Sequence, residues 1–179
     1  MDPAVTAALI AAPVAITAAG AAFAAGLVQG RAAQRGPVDA VRRQHQRDAY
    51  ATFLAALHTY EREAEFGVCE RLAQAEFQAA GVQPTPTDLN SRTLELVAKV
   101  PIKEVLARAA VVELEGPEPV ADAGVEAMLA VCEVHYSAVA SNTALNDRVR
   151  NVLSEHDEVY PALKKFTELA SVELNRAAG

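Results

Sequence analysis

Residues 3–30 carry no charged side chain, and five arginines follow at once: Arg31, Arg35, Arg42, Arg43 and Arg47. Nothing else in the sequence limits the fold as strongly. An uncharged run of 28 residues, coiled as a helix, is about 40 Å long, and about 20 residues are enough to cross a hydrocarbon core. The run reads PAVTAALIAAPVAITAAGAAFAAGLVQG; its strongly apolar members are Val5, Leu9, Ile10, Val14, Ile16, Phe23, Leu27 and Val28, and twelve others are alanine. Pro13 bends such a helix without forbidding a span. A secretory signal would need basic residues before the apolar stretch, whereas here only Asp2 precedes it. The expectation is a transmembrane anchor over residues 1–30, with a basic juxtamembrane segment over 31–48. The competing reading is a soluble helix whose alanine-rich face packs on partner chains.

The arginines orient the span. Basic residues stay on the cytoplasmic side, which predicts an external N-terminus and a cytoplasmic remainder at a bacterial inner membrane. Their guanidinium groups also suit anionic headgroups, so the lipid bilayer is the first expected partner. Within the run, Ala18, Ala22, Gly26 and Gly30 recur every four residues. Such a stripe permits close helix approach and predicts a homo-oligomer through this face.

Past Asp48 the balance reverses. Residues 49–179 hold 11 basic and 20 acidic side chains, within a chain of net charge −7. That excess is repelled by phosphate backbones, so no nucleic-acid partner is expected. The chain contains 39 alanines and no Trp, so its 51% hydrophobic content comes largely from methyl groups. Strand formers other than Val are scarce, which points away from β structure.

Apolar positions from residue 38 onward step by three and four. Pro37 opens a helix running to about Ala80, with Tyr50, Phe53, Leu57, Tyr60, Ala64, Val68, Leu72, Ala75 and Ala79 along one face and Gly67 at most a kink. GVQPTPT at 81–87 reads as a loop, and Asp88 or Ser91 caps a short helix over about 89–99. The segment after Pro101 is helical until the GPEP turn at 116–119, with Gly116 as C-cap. A stripe of Ala121, Val125, Met128, Cys132, His135 and Val139 follows, with an interruption at Ser141–Asn142 and a last helix after Pro161. Four main helices with short loops predict an all-α protein: a transmembrane helix, then an antiparallel up-down bundle over 38–179.

The order of an Ala/Gly-rich span, an arginine collar, RDAYATFLAAL and VVELEGPEPVADAGVEAML resembles uncharacterised single-pass membrane proteins of actinobacteria. The resemblance implies the architecture and a membrane address, and it supplies no activity and no functional residues.

Catalytic and cofactor patterns are absent from the sequence. Cys132 and His135, three apart on a helix, could face one metal ion, with Cys69 from the first helix. Both lie on the apolar stripe, however, where a thiol and a hydrogen-bonded histidine are ordinary core residues. No Glu stands three before any histidine, as a di-iron bundle requires. Nucleophile-elbow and phosphate-loop motifs are missing too. Glu61, Glu63, Glu65 and Glu70, alternating with Arg62 and Arg71, read as a solvated helix face. The expectation is therefore no enzyme, cofactor or metal, and a role through contact with an unknown protein partner; a ligand-sensing bundle or a metal protein using Cys69, Cys132 and His135 is the remaining alternative.

Overall fold

The computed structural model describes residues 40–176. Among them the chain is all-helical, with six helices and no strand. Helix α1 covers residues 40–63, followed by α2 (Phe66–Ala79), α3 (Pro86–Lys99), α4 (Lys103–Glu115), α5 (Glu118–Val139) and α6 (Leu145–Arg176). Among the described residues no helix is long and apolar enough to cross a membrane; the expected span, with Ala18, Ala22, Gly26, Gly30, Arg31 and Arg35, lies outside them.

The first correction concerns the long helix expected over 38–80. It is two helices, broken at Ala64–Glu65. Glu65 takes an extended backbone (φ −55°, ψ 121°), and the Cys69 thiol donates to the Glu63 carbonyl at 3.3 Å, meeting one of the acceptors a helix end leaves open. Gly67 does not mark the break: it is the second residue of α2 and has no positive φ. The buried series runs Tyr50, Phe53, Leu57, Tyr60, Ala64 and then Cys69, Ala73. The step from 64 to 69 is five, so the inward face slips by one residue at the break. Leu72, expected inward, is consequently 53% exposed.

Helix α2 is capped by Ala80 and followed by Gly81, whose φ of +68° suits a residue without a Cβ. Helix α3 starts three residues before the expected point. Thr85 is the N-cap: its hydroxyl accepts from the Asp88 N–H at 3.2 Å, and its own N–H donates to the Asp88 carboxylate at 3.1 Å. Asp88 is thus the third helical residue of a capping box rather than the cap. The Thr85 hydroxyl and, after it, the Thr85 N–H hold the Asp88 carboxyl below its ordinary pKa. The contribution of this pair is therefore complete at neutral pH and fades as acid protonates Asp88. Thr85→Ala is expected to cost about 1 kcal/mol in urea unfolding, and Thr85→Gly only a few tenths. Arg92 then ties α3 to α2, its Nε at 2.6 Å and Nη2 at 3.0 Å from the Glu76 carboxylate.

The turn at 116–119 is where the sequence placed it: Gly116 caps α4 and Pro117 precedes α5. A Cβ on Gly116 would stand 2.8 Å from the Val112 carbonyl, so a side chain there displaces backbone. The interruption at Ser141–Asn142 is also observed, between α5 and α6. The helix expected to begin after Pro161 does not; Pro161 lies inside the 32-residue α6. Pro161 itself is exposed, while Val159, Ala162 and Leu163 beside it are buried, so packing on both sides carries the helix through the missing hydrogen bond.

Side-chain contacts define the helix directions. Gln46 Nε2 near the start of α1 donates to the Glu115 carbonyl at the end of α4 at 2.7 Å, and Tyr60 lines one cleft with Val105, so α1 and α4 run oppositely. His156 Nε2 lies 3.0 Å from the Glu61 carbonyl, while Tyr50 and Phe53 pack on Phe166, so α1 also opposes α6. The Lys165–Glu126 pair and the Arg148–Ala138 hydrogen bond set α5 against α6. The α2–α3 hairpin is inserted between α1 and α4, and α3 packs on α5 and α6. At mid-bundle Phe53, Val112 and Phe166 converge on Gly124, which has no side chain to hold them apart.

Candidate functional site

Helix α4 is apolar on both faces. Val105, Ala109 and Val112, spaced four and three, point into the core. A helix that only borders the core carries polar residues on its other side. Here the outward side holds Leu106, Ala107, Ala110, Val111 and Leu114, all exposed; Leu114 is 85% exposed, with Leu106 at 37% and Val111 at 40%. At 100° per residue these five positions span the whole outward face, interrupted only by Lys103 at its start. Contiguous exposed apolar surface of this kind marks a contact site, whereas a single exposed Leu does not.

Charged groups frame the face. Glu104 and Arg108 pair along one edge at 2.7 Å, Glu113 lies on the other edge, and Lys103 stands at the N-terminal end. Beyond the Glu104–Arg108 edge, α1 and α4 enclose an open cleft of about 350 Å³ floored by Ala55, Ala56 and Val105. It meets a second cleft of about 320 Å³, lined by Cys69, Leu72 and Leu96, at the shared Glu63, Val100 and Pro101. The two clefts thus form a second surface between α1, α4 and the α2–α3 hairpin, separated from the outward face of α4 by the Glu104–Arg108 pair.

The residues singled out from the sequence are dispersed. In the described part of the arginine collar, Arg42 and Arg47 are exposed and Arg43 is half-buried; Arg47 stands beside a groove between α1 and α6, with Leu54 and Leu174. Cys69 and Cys132 are buried free thiols, and burial pushes the pKa of each up, so both are protonated and unreactive at neutral pH. Burial is also the main reason the Tyr60 phenol is held well above its ordinary range, with Cys132 and Cys69 adding to it. Among the described residues no group of three or more His, Cys, Asp or Glu side chains is placed to hold a metal ion. Glu63 and Glu65 of the acidic stretch are exposed, and Glu61 and Glu70 are half-buried.

Assigning the segment after Pro101 to a helix, without its faces, does not find this surface. The signal is present in the sequence, since KEVLARAAVVELE places apolar residues on two opposite faces of the helix. No protein-family model, curated protein or solved structure matches this chain.

Proposed function

We propose that this chain is a single-pass protein of a bacterial inner membrane, anchored by residues 1–30 and acting by binding protein at the cytoplasmic face. In this reading the arginine collar sets topology, and an antiparallel up-down bundle of α1, α4, α5 and α6 presents the binding surface. The observation that carries it is the apolar outward face of α4, whose area has no covering element among the described residues. The net acidic charge of residues 49–179 as a whole supports protein over nucleic acid as its partner.

A fluorescent fusion of the full chain is expected to outline the membrane, and a fusion lacking residues 1–30 to spread through the cytoplasm. Retention of the truncated fusion at the membrane would sink the anchor. Release of the full chain by alkaline carbonate would favour a soluble helical oligomer instead.

A further inference from the structure

We propose that the groove between α1 and α6 holds one long-chain fatty acid, its tail along the groove and its carboxylate on the Arg47 guanidinium. The proposal depends neither on the α4 face nor on the anchor. The groove has a volume of about 390 Å³, within the range of small-molecule sites. Tyr50 and Ala170, both buried, form its floor, and the half-buried Leu54 and Leu174 stand towards its two ends. Its α6 wall, from Thr167 to Asn175, is about 12 Å long. One leaflet of a hydrocarbon core is about 15 Å thick, so the groove takes most of one acyl chain. A two-chained phospholipid exceeds that space.

Charge selects an anion for the head. The two clefts that meet at Glu63 carry that carboxylate, whereas this groove is lined by no carboxylate and by one cation, Arg47. Arg47 is exposed and makes no ion pair among the described residues. Asp48, the next residue, points about 100° away around α1. Glu168 on α6 is held by Lys164 at 3.9 Å. A planar guanidinium left open in this way binds a carboxylate through two parallel hydrogen bonds. From α6 the Ser171 hydroxyl lines the same groove; it accepts from Asn175 at 3.5 Å and keeps its own proton to donate. The uncharged run of residues 3–30 offers apolar side chains but no anion for Arg47, so it is the poorer occupant.

The test is photo-labelling of the full chain, in a lysate of expressing cells separated into membrane and soluble fractions, with palmitic acid carrying a mid-chain diazirine. Peptide mapping by mass spectrometry is expected to place the adduct on α1 around Leu54 and on α6 around Leu174. Unlabelled palmitate should displace it, and palmitamide, which lacks the anion, should do so at least about tenfold less well. Arg47→Gln alters an exposed side chain and should cut groove labelling at least about tenfold. Thr167→Trp, which fills the groove and keeps Arg47, should cut it too. Equal competition by palmitamide, or labelling unchanged by Arg47→Gln, overturns the proposal. Labelling confined to residues 1–30 also overturns it, since any bilayer-embedded segment meets the probe. Groove labelling of a chain found in the soluble fraction supports the proposal while removing the anchor.

Discussion

Phe166→Ala is expected to lower the unfolding free energy by about 3–5 kcal/mol, the range for removing a fully buried aromatic ring. Phe166 is 0% exposed and meets two rings edge-on: Phe53 at a centroid distance of 5.0 Å and Tyr50 at 5.9 Å. Both partners belong to α1, so the lost ring removes the main aromatic contact between α1 and α6. The space left is walled by rings that are themselves buried, which limits collapse and keeps the cost high. Urea unfolding followed by helical circular dichroism measures it. Leu114→Glu is the matched control: it alters a side chain that is 85% exposed and should stay within about 0.5 kcal/mol. A Phe166→Ala loss below about 1 kcal/mol, far under the range for such a ring, would show that the α1–α6 aromatic contact does not hold the bundle together.

The second large effect is expected at Gly124. A Cβ there would stand 3.1 Å from Val112 Cγ1 and 3.7 Å from both Phe166 and Phe53. Leucine places three further carbons into that contact. Overpacking of this kind costs about 1–3 kcal/mol and occasionally more, and the surrounding rings put Gly124→Leu at the upper end. Gly124→Ala sets a tight Cβ contact against a helix-propensity gain of about 1 kcal/mol and should change stability little. Val112→Ala creates the room that leucine needs. The double variant Gly124→Leu, Val112→Ala should therefore lose clearly less than the sum of the two single losses, a coupling read from the same unfolding curves. Additive losses would mean that Val112 is not what the side chain introduced by Gly124→Leu strikes.

Several features are legible from the chain because their cause is local. Gly116 and Pro117 end one helix and open the next through backbone chemistry confined to four residues, and the turn lies where those residues stand. The stop at Gly81 and the interruption at Ser141–Asn142 are of the same kind. The break at Ala64–Glu65 is not legible, since three-and-four spacing continues through it. Only the pair of buried positions Ala64 and Cys69 exposes the slip, and which residues are buried depends on where α2 finds α3. Pro161 misleads in the opposite direction: a local rule ends the helix there, and core contacts of Val159, Ala162 and Leu163 overrule it. At the start of α3 the spacing points to Asp88 as the cap, whereas Asp88 is the capping-box partner of Thr85.

For the candidate site the division is sharper. The chain by itself determined that 40–176 is helical, that alanine fills much of the core, and that acidic charge dominates after Asp48, because these follow from composition and side-chain periodicity. It also determined that α4 carries apolar residues on two opposite faces with charged residues between them. Which of its two apolar faces is covered was decided only by tertiary packing. Val112 fits the space opened by Gly124, and Val105 and Ala109 share its inward side of α4. Leu106, Val111 and Leu114 were left outward, because one helix can turn only one face to a single core.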